Sequence, residues 1–273
     1  MPSGTETVRV PHTWNIGRYD DYEGMAWYFR TFALPPSVAS QHVELHFEAT
    51  FYKSRVWLNG HAIGEHEGGY TPYWFDISSF LQPGDNFLAV ELDNRPTAES
   101  IPGLALKLQG PNFWYDWWHY GGLVRDVWLT IHSTGLIRCQ RITTLLEPDA
   151  TETTSKVLVE NVAPSFRLFG VAATIYSPQG DVVARVKPVS VRAAASAFVF
   201  AELNATIPKP QLTDLNHPVL YRMELEHRDA SGRAIIQPQR ASPATRKRIA
   251  ARRNGGTSRT PMRMARNVDP HAK

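Results

Sequence analysis

The sequence predicts an all-β protein, with two β-sandwiches in series and a basic tail that belongs to neither. Three observations carry this. Apolar and polar residues alternate at period two in segment after segment up to Ile236, and no helical period persists beyond a single turn. All eight tryptophans lie at or before Trp128, so composition changes near Ser133. From Gln237 onward ten Lys and Arg face one acid, Asp269, and the alternation stops.

The clearest strand is VELHFEATF, residues 43–51. Val43, Leu45, Phe47, Ala49 and Phe51 alternate there with Glu44, His46, Glu48 and Thr50, so one face is expected in the core and the other in water. SRVWLNGHAIGEH follows, and its Asn59-Gly60 pair tolerates positive φ, which predicts a tight hairpin. Next come YWFDI, a single helical turn over residues 76–81 with Asp76 as N-cap, a turn at Pro83–Asn86, FLAVEL and LVRDVWLTI. Beyond Ser133 the strands are SKVLVENV, LFGVAATIYS, VVARVKPVSV, AFVFAEL and VLYRMELEHR. They are separated by turn signals such as Ser177-Pro178-Gln179-Gly180, the spacing of a sandwich of about 100 residues. The expected divisions are 1–133, 134–236 and 237–273. The last is expected to be disordered, because it cannot bury enough apolar surface to offset the entropy of ordering.

Composition narrows the function classes. Hydrophobic residues make up 42% and charged residues 20%, the globular range. No apolar run is long enough to cross a bilayer as a helix, so no membrane partner is expected. MPSGTETVRVPHTWN carries neither the charged nor the apolar region of a secretory signal, which leaves the cytoplasm as the default compartment. The single cysteine, Cys139, excludes internal disulfides and multi-cysteine metal sites, and its strand-like surroundings predict buried packing. The net charge of +3 conceals a tail at +9 and a body with nineteen bases against twenty-five acids. An acidic body argues against a specific nucleic-acid partner, and the tail alone would give only salt-sensitive, non-specific binding. The pairs His42/His46 and His61/His66 lack a third ligand at sensible spacing, so no metal site is expected. There is no Gly-x-Ser-x-Gly elbow and no phosphate-binding glycine loop. Oligomeric state is not legible.

One stretch stands apart. NFWYDWWHYGGLVRDVWL, residues 112–129, sets a carboxylate, Asp116, among four tryptophans and two tyrosines. Burying a carboxylate is costly unless hydrogen bonds or a ligand compensate it. Together with VPHTWN (10–15), GMAWYFRTFALP (24–35), FYKSRVWLNGHAIGEHEGGYTPYWFDIS (51–78) and NFLAVELDN (86–94), in that order, this stretch resembles the non-catalytic front end of glycoside hydrolase family 2. That is the family of β-galactosidases, β-glucuronidases and β-mannosidases. HPVLYRMELEHRDASG (217–232) resembles the end of the family's second domain.

The resemblance implies a jelly-roll sugar-binding domain, an immunoglobulin-like sandwich and then a catalytic barrel. A barrel of that kind needs about 250 residues, and none follows. The family's acid/base glutamate follows an asparagine, and no Asn-Glu dipeptide exists here. No catalytic residue is therefore assigned, no cofactor is expected, and the chain is expected to be inactive by itself. It is expected to be a fragment of a β-galactosidase-like enzyme, ending in a frameshifted or aberrant tail. Its partners would be a β-glycoside and the missing barrel. A stand-alone carbohydrate-binding module is the alternative.

By the same resemblance Asp116 lies on a loop facing the barrel's sugar pocket. It would accept hydrogen bonds from substrate hydroxyls or, in a complete enzyme, help hold a cation. His119 stands where the family commonly has asparagine. Trp117, Trp118 and Tyr120 would either stack on sugar faces or plug an interface with a neighbouring domain, the second reading being preferred. Gly121 and Gly122 are expected to permit the turn into the next strand.

Overall fold

A computed structural model describes residues 5–17, 19–20, 22–38, 40–101, 118–132, 134–147, 149–212 and 219–235, together with the backbone of Met262–Arg266. The described chain is nearly all β and divides into two compact units between Ile131 and His132. Among the described residues no helix is long and apolar enough to cross a membrane.

The first unit contains β1 (Glu6–Val8), β2 (Met25–Leu34), β3 (His42–Phe47), β4 (Lys53–Leu58), β5 (His61–Glu67), β6 (Tyr73–Asp76), β7 (Gly84–Asp93) and β8 (Val127–His132). Its larger sheet includes β2-β7-β4-β5 in that order, and its smaller sheet is β6-β3-β8. The two sheets form the jelly-roll sandwich. β3 shows why. Val43, Leu45 and Phe47 are fully or almost fully buried in one core with Tyr28, Val56, Leu58, Val90 and Leu92 from the larger sheet. Phe47 stacks on Tyr73 with ring centroids 4.9 Å apart. Burying such side chains contributes about 1.5–3 kcal/mol each. The β4–β5 hairpin closes at Asn59 and Gly60, with φ of 52° and 83° as a two-residue turn with primed geometry requires.

Two local expectations change. The turn near residue 78 is a 3-10 turn, Ser78–Phe80, whose N-cap is Ile77 without a side-chain bond. Asp76 instead accepts from its own second neighbour, from Ser78 N at 2.9 Å and Ser78 Oγ at 2.5 Å. A short acidic side chain reaches that amide locally and forms an Asx turn before a helix can use it. The polar face of β3 is also not in water. Glu44 is 1% exposed, with His42 Nε2 and His46 Nε2 each 2.9 Å from one of its oxygens. His46 in turn stacks on Trp128 at 5.4 Å and on Trp74 at 6.1 Å. Alternation separates two faces, but what covers the polar one comes from residues distant in sequence.

The second unit contains β9 (Gly135–Glu147), β10 (Ala150–Asn161), β11 (Arg167–Tyr176), β12 (Val182–Ala193), β13 (Phe198–Pro208) and β14 (Arg222–Arg228). Two antiparallel sheets, β13-β10-β9 and β12-β11-β14, form the immunoglobulin-like sandwich around Val157, Val159, Phe169, Val171, Ile175 and Leu203. The turn after β11 closes with Gly180 N donating to Ser177 O at 3.0 Å. Cys139, expected in the core, is exposed. It pairs in register with Leu158, and the neighbours Val157 and Val159 point inward, so Leu158 and Cys139 share the outer face.

Within the tail expected to be disordered, Met262–Arg266 runs as a further strand, β15. It lies between β1 and β2 and pairs antiparallel with both, Met264 standing opposite Glu6 and opposite Tyr28. The rest of residues 237–273 lies outside the described residues. A composition argument weighs what side chains can bury. A sheet edge offers backbone N–H and C=O groups that any extended segment can satisfy.

Candidate functional site

The chain from Trp118 to Asp126 forms the approach to β8 and carries part of the stretch singled out in the sequence. Asp116 and Trp117 lie outside the described residues, as does the expected cation position beside Asp116.

Three separate pieces of chain grip this approach. Asn94, just after β7, donates from Nδ2 to His119 O at 2.7 Å, while its Oδ1 accepts from Gly24 N at 2.8 Å. Asn15 accepts at Oδ1 from Gly121 N at 2.8 Å and donates from Nδ2 to the carbonyls of Asp20 and Tyr22, both at 3.1 Å. Thr13 Oγ1 and Trp14 N donate to Gly121 O at 3.0 and 3.1 Å. Phe51 and Gly122 exchange backbone bonds of 3.0 and 3.2 Å. These backbone groups of the loop are thus paired internally, as buried backbone requires.

The two glycines do more than allow a turn. A Cβ on Gly121 would lie 1.9 Å from Trp14 Cζ2, so the indole occupies the space a side chain would need. Gly122 has φ +141°, and a Cβ there would lie 2.4 Å from His12 O. Backbone and ring approach closely only because both positions lack a side chain.

The side chains separate into two groups. His119 is 3% exposed, with Nδ1 3.2 Å from Asn94 O and its ring 5.3 Å from Phe51. Its imidazole therefore belongs to the packing beneath the loop. Trp118 and Tyr120 are 50% and 44% exposed, and Trp118 Nε1 donates to Asp20 O at 3.2 Å. Tyr70, from the β5–β6 connection, is 47% exposed and packs edge-on against Phe51 at 5.8 Å. Partial burial pushes its phenol upward. The neighbouring Tyr120 phenol adds to that shift and the Arg125 guanidinium opposes it. Sequence reading missed Tyr70, although its position straight after Gly68-Gly69 marks a tight turn. It also missed Asn15 and Asn94. Among the described residues no group of three or more His, Cys, Asp or Glu is arranged as a metal site.

The arrangement is a rigid backbone shelf presenting aromatic faces and phenolic hydroxyls, with a guanidinium nearby. Such groups suit a ligand with apolar C–H faces and peripheral hydroxyls. Residues 3–133 match the family description "Glycosyl hydrolases family 2, sugar binding domain". Residues 3–133 belong to the sugar-binding domain of glycoside hydrolase family 2. Over 227 residues it is 29% identical to a putative β-glucuronidase of Formosa agariphila, covering 81% of this chain and 26% of that protein. Over 136 residues it is 32% identical to a β-galactosidase of Thermoanaerobacter pseudethanolicus, covering 47% of this chain and 17% of that one. The crystal structure of a Bacteroides uniformis β-glucuronidase superposes with a TM-score of 0.71 at 28% identity, covering 84% of this chain and 27% of that one. The chain spans about a quarter or less of each of these relatives.

Proposed function

We propose that this family 2 chain supplies the non-catalytic, sugar-contacting front portion of a β-glycosidase acting on β-galactosides or β-glucuronides. In this reading the 118–122 shelf faces the substrate beside a catalytic barrel. Trp118, Tyr120 and Tyr70 offer ring faces to the sugar, and Asp116 accepts from its hydroxyls. The observation that supports this most is the contrast along the shelf. Its backbone is fixed by Asn15, Asn94, Phe51 and Trp14, while the Trp118 and Tyr120 side chains are left exposed. Binding sites gain from fixing geometry in advance, because ordering costs are then met during folding rather than on binding.

Retaining hydrolysis needs two carboxyls about 5–5.5 Å apart across the glycosidic bond. Neither family position for them exists in this chain. The test is a chimera joining residues 1–236 to the remainder of the Thermoanaerobacter pseudethanolicus β-galactosidase, assayed with chromogenic β-galactosides, β-glucuronides and β-mannosides. The chimera should turn over and the chain alone should not. In the chimera Asp116→Ala should lower kcat/KM about ten- to a hundredfold, the worth of a charged hydrogen bond. Turnover by the chain alone, or an Asp116→Ala chimera equal to the parent chimera, would overturn the reading.

A further inference from the structure

A second aromatic surface lies on the opposite side of the larger sheet from its core. On β2, Ala26 and Tyr28 are buried in the core, so Trp27 and Phe29 face outward. The same alternation turns Phe87 and Ala89 outward on β7 and Trp57 outward on β4. Ala89 pairs in register with Phe29 on one side and Trp57 on the other. Its methyl group leaves room for rings to lean across β7. Trp27 and Trp57 lie on strands two spacings apart, about 9–10 Å, and are offset by two residues along them. Their ring centroids nevertheless lie 5.1 Å apart. Trp27 and Phe29 are parallel within 3° at 6.1 Å, and Phe29 and Phe87 within 16° at 5.8 Å. Four rings thus form one continuous platform.

A polar strip borders it. One register step from Ala89, Glu91 pairs with Trp27 and with Arg55. Arg55 Nη1 lies 3.4 Å from Glu91 Oε1, and its Nε lies 3.7 Å from Glu65 Oε2. Next in line, Lys53 Nζ is 3.4 Å from Glu67 Oε2, and Arg95 bonds Asp93. Three cations and four carboxylates nearly cancel.

We propose that this face binds an extended, neutral, β-linked polysaccharide, separately from the 118–122 shelf. The rings take the C–H faces of successive pyranoses, and the Arg55–Glu91–Glu65 strip exchanges hydrogen bonds with their hydroxyls. The charge pattern selects this occupant. Phosphate ligands call for an excess of cations, which the strip lacks. Paired donors and acceptors next to half-buried aromatic rings, with Phe87 the most exposed of them, match a polyol.

The test is affinity electrophoresis of the full chain through gels containing soluble β-glucan, xylan, β-1,4-galactan or galactomannan. The variants are Trp57→Ala, Trp57→Phe, Arg55→Met and, as the shelf control, Tyr120→Ala, each checked for an unchanged unfolding transition. At least one polymer should retard the parent chain. Trp57→Ala should weaken that retardation about two- to tenfold, the worth of one aromatic stack. Trp57→Phe should restore part of it, and Arg55→Met, an exposed position, should weaken it without altering the fold. Retardation that Tyr120→Ala weakens and Trp57→Ala does not would place the sugar on the shelf and overturn this proposal, so failure of the shelf reading and failure of this one are distinguishable. The proposal is overturned if no polymer retards the chain, or if retardation survives both Trp57→Ala and Arg55→Met. Sedimentation showing a Trp57-dependent dimer without polymer would equally overturn it and make the face a contact between copies.

Discussion

Asn94 and His119 hold one another reciprocally. The Asn94 side chain donates to the His119 carbonyl at 2.7 Å, and His119 Nδ1 lies 3.2 Å from the Asn94 carbonyl. The end of β7 is thereby tied to the aromatic shelf across 25 residues of sequence. Asn94→Ala removes the donor to His119 O and the acceptor for Gly24 N together. Each buried group left without a partner costs about 1–3 kcal/mol. Urea unfolding should show a loss of about 3 kcal/mol, and limited proteolysis should newly cut near residues 118–122. A loss below 1 kcal/mol would remove Asn94 from this role.

Gly122→Ala should be worse than its size suggests. Its φ of +141° disfavours any side chain, and the added methyl would meet the His12 carbonyl, which cannot rotate away. Overpacking and backbone strain of this kind cost about 1–3 kcal/mol each. Soluble yield and melting temperature should both fall sharply. Gly60→Ala, where a Cβ meets nothing within 4 Å, is the milder comparison.

Phe47→Ala should destabilise the first unit by about 3–5 kcal/mol, because the ring is fully buried and stacked on Tyr73. Thermal unfolding followed by tryptophan fluorescence reports on this unit alone, since every tryptophan lies at or before Trp128.

Acid should act on the second unit through His227. Its imidazole is buried against Phe169 with ring centroids 5.0 Å apart, and burial pushes its pKa down to about 4. The unfolded chain takes up this proton near pH 6.5, whereas the folded chain resists until about pH 4. Its stabilising contribution is complete above pH 6.5 and declines as pH falls toward 4, by roughly 3 kcal/mol in all. Unfolding free energies measured across that window should slope less in His227→Gln than in the parent. Equal slopes would assign the acid sensitivity elsewhere.

The alternation of Val43, Leu45 and Phe47 was enough to fix the register of β3, because period two dictates which side chains meet the core. It could not reveal that Glu44 is buried between His42 and His46, since the tryptophans flanking His46 arrive from β6 and β8. Cys139 was misplaced for a related reason. A strand exposes every second residue, and only its pairing with Leu158 reveals which set it joins. At the shelf the two glycines were legible, but the residues that grip them were not. Asn15 and Asn94 act mainly on backbone groups, and a carbonyl leaves no mark in the side-chain pattern. β15 was illegible for the same reason, because the larger sheet accepts its backbone.

The Asn59–Gly60 hairpin has a bearing on chemical ageing. Asparagine before glycine is the pair most prone to cyclise, the glycine nitrogen attacking the side-chain carbonyl with loss of ammonia. In the fold that amide is immobilised. Asn59 Nδ2 donates to Phe80 O at 2.8 Å and to Asn86 Oδ1 at 2.9 Å, and Asn59 Oδ1 accepts from Phe87 N at 2.9 Å. The side chain cannot swing toward Gly60 without surrendering all three. Isoaspartate at residue 59 would therefore accumulate only while the hairpin is open, and its amount in a stored sample would serve as a clock for time spent unfolded.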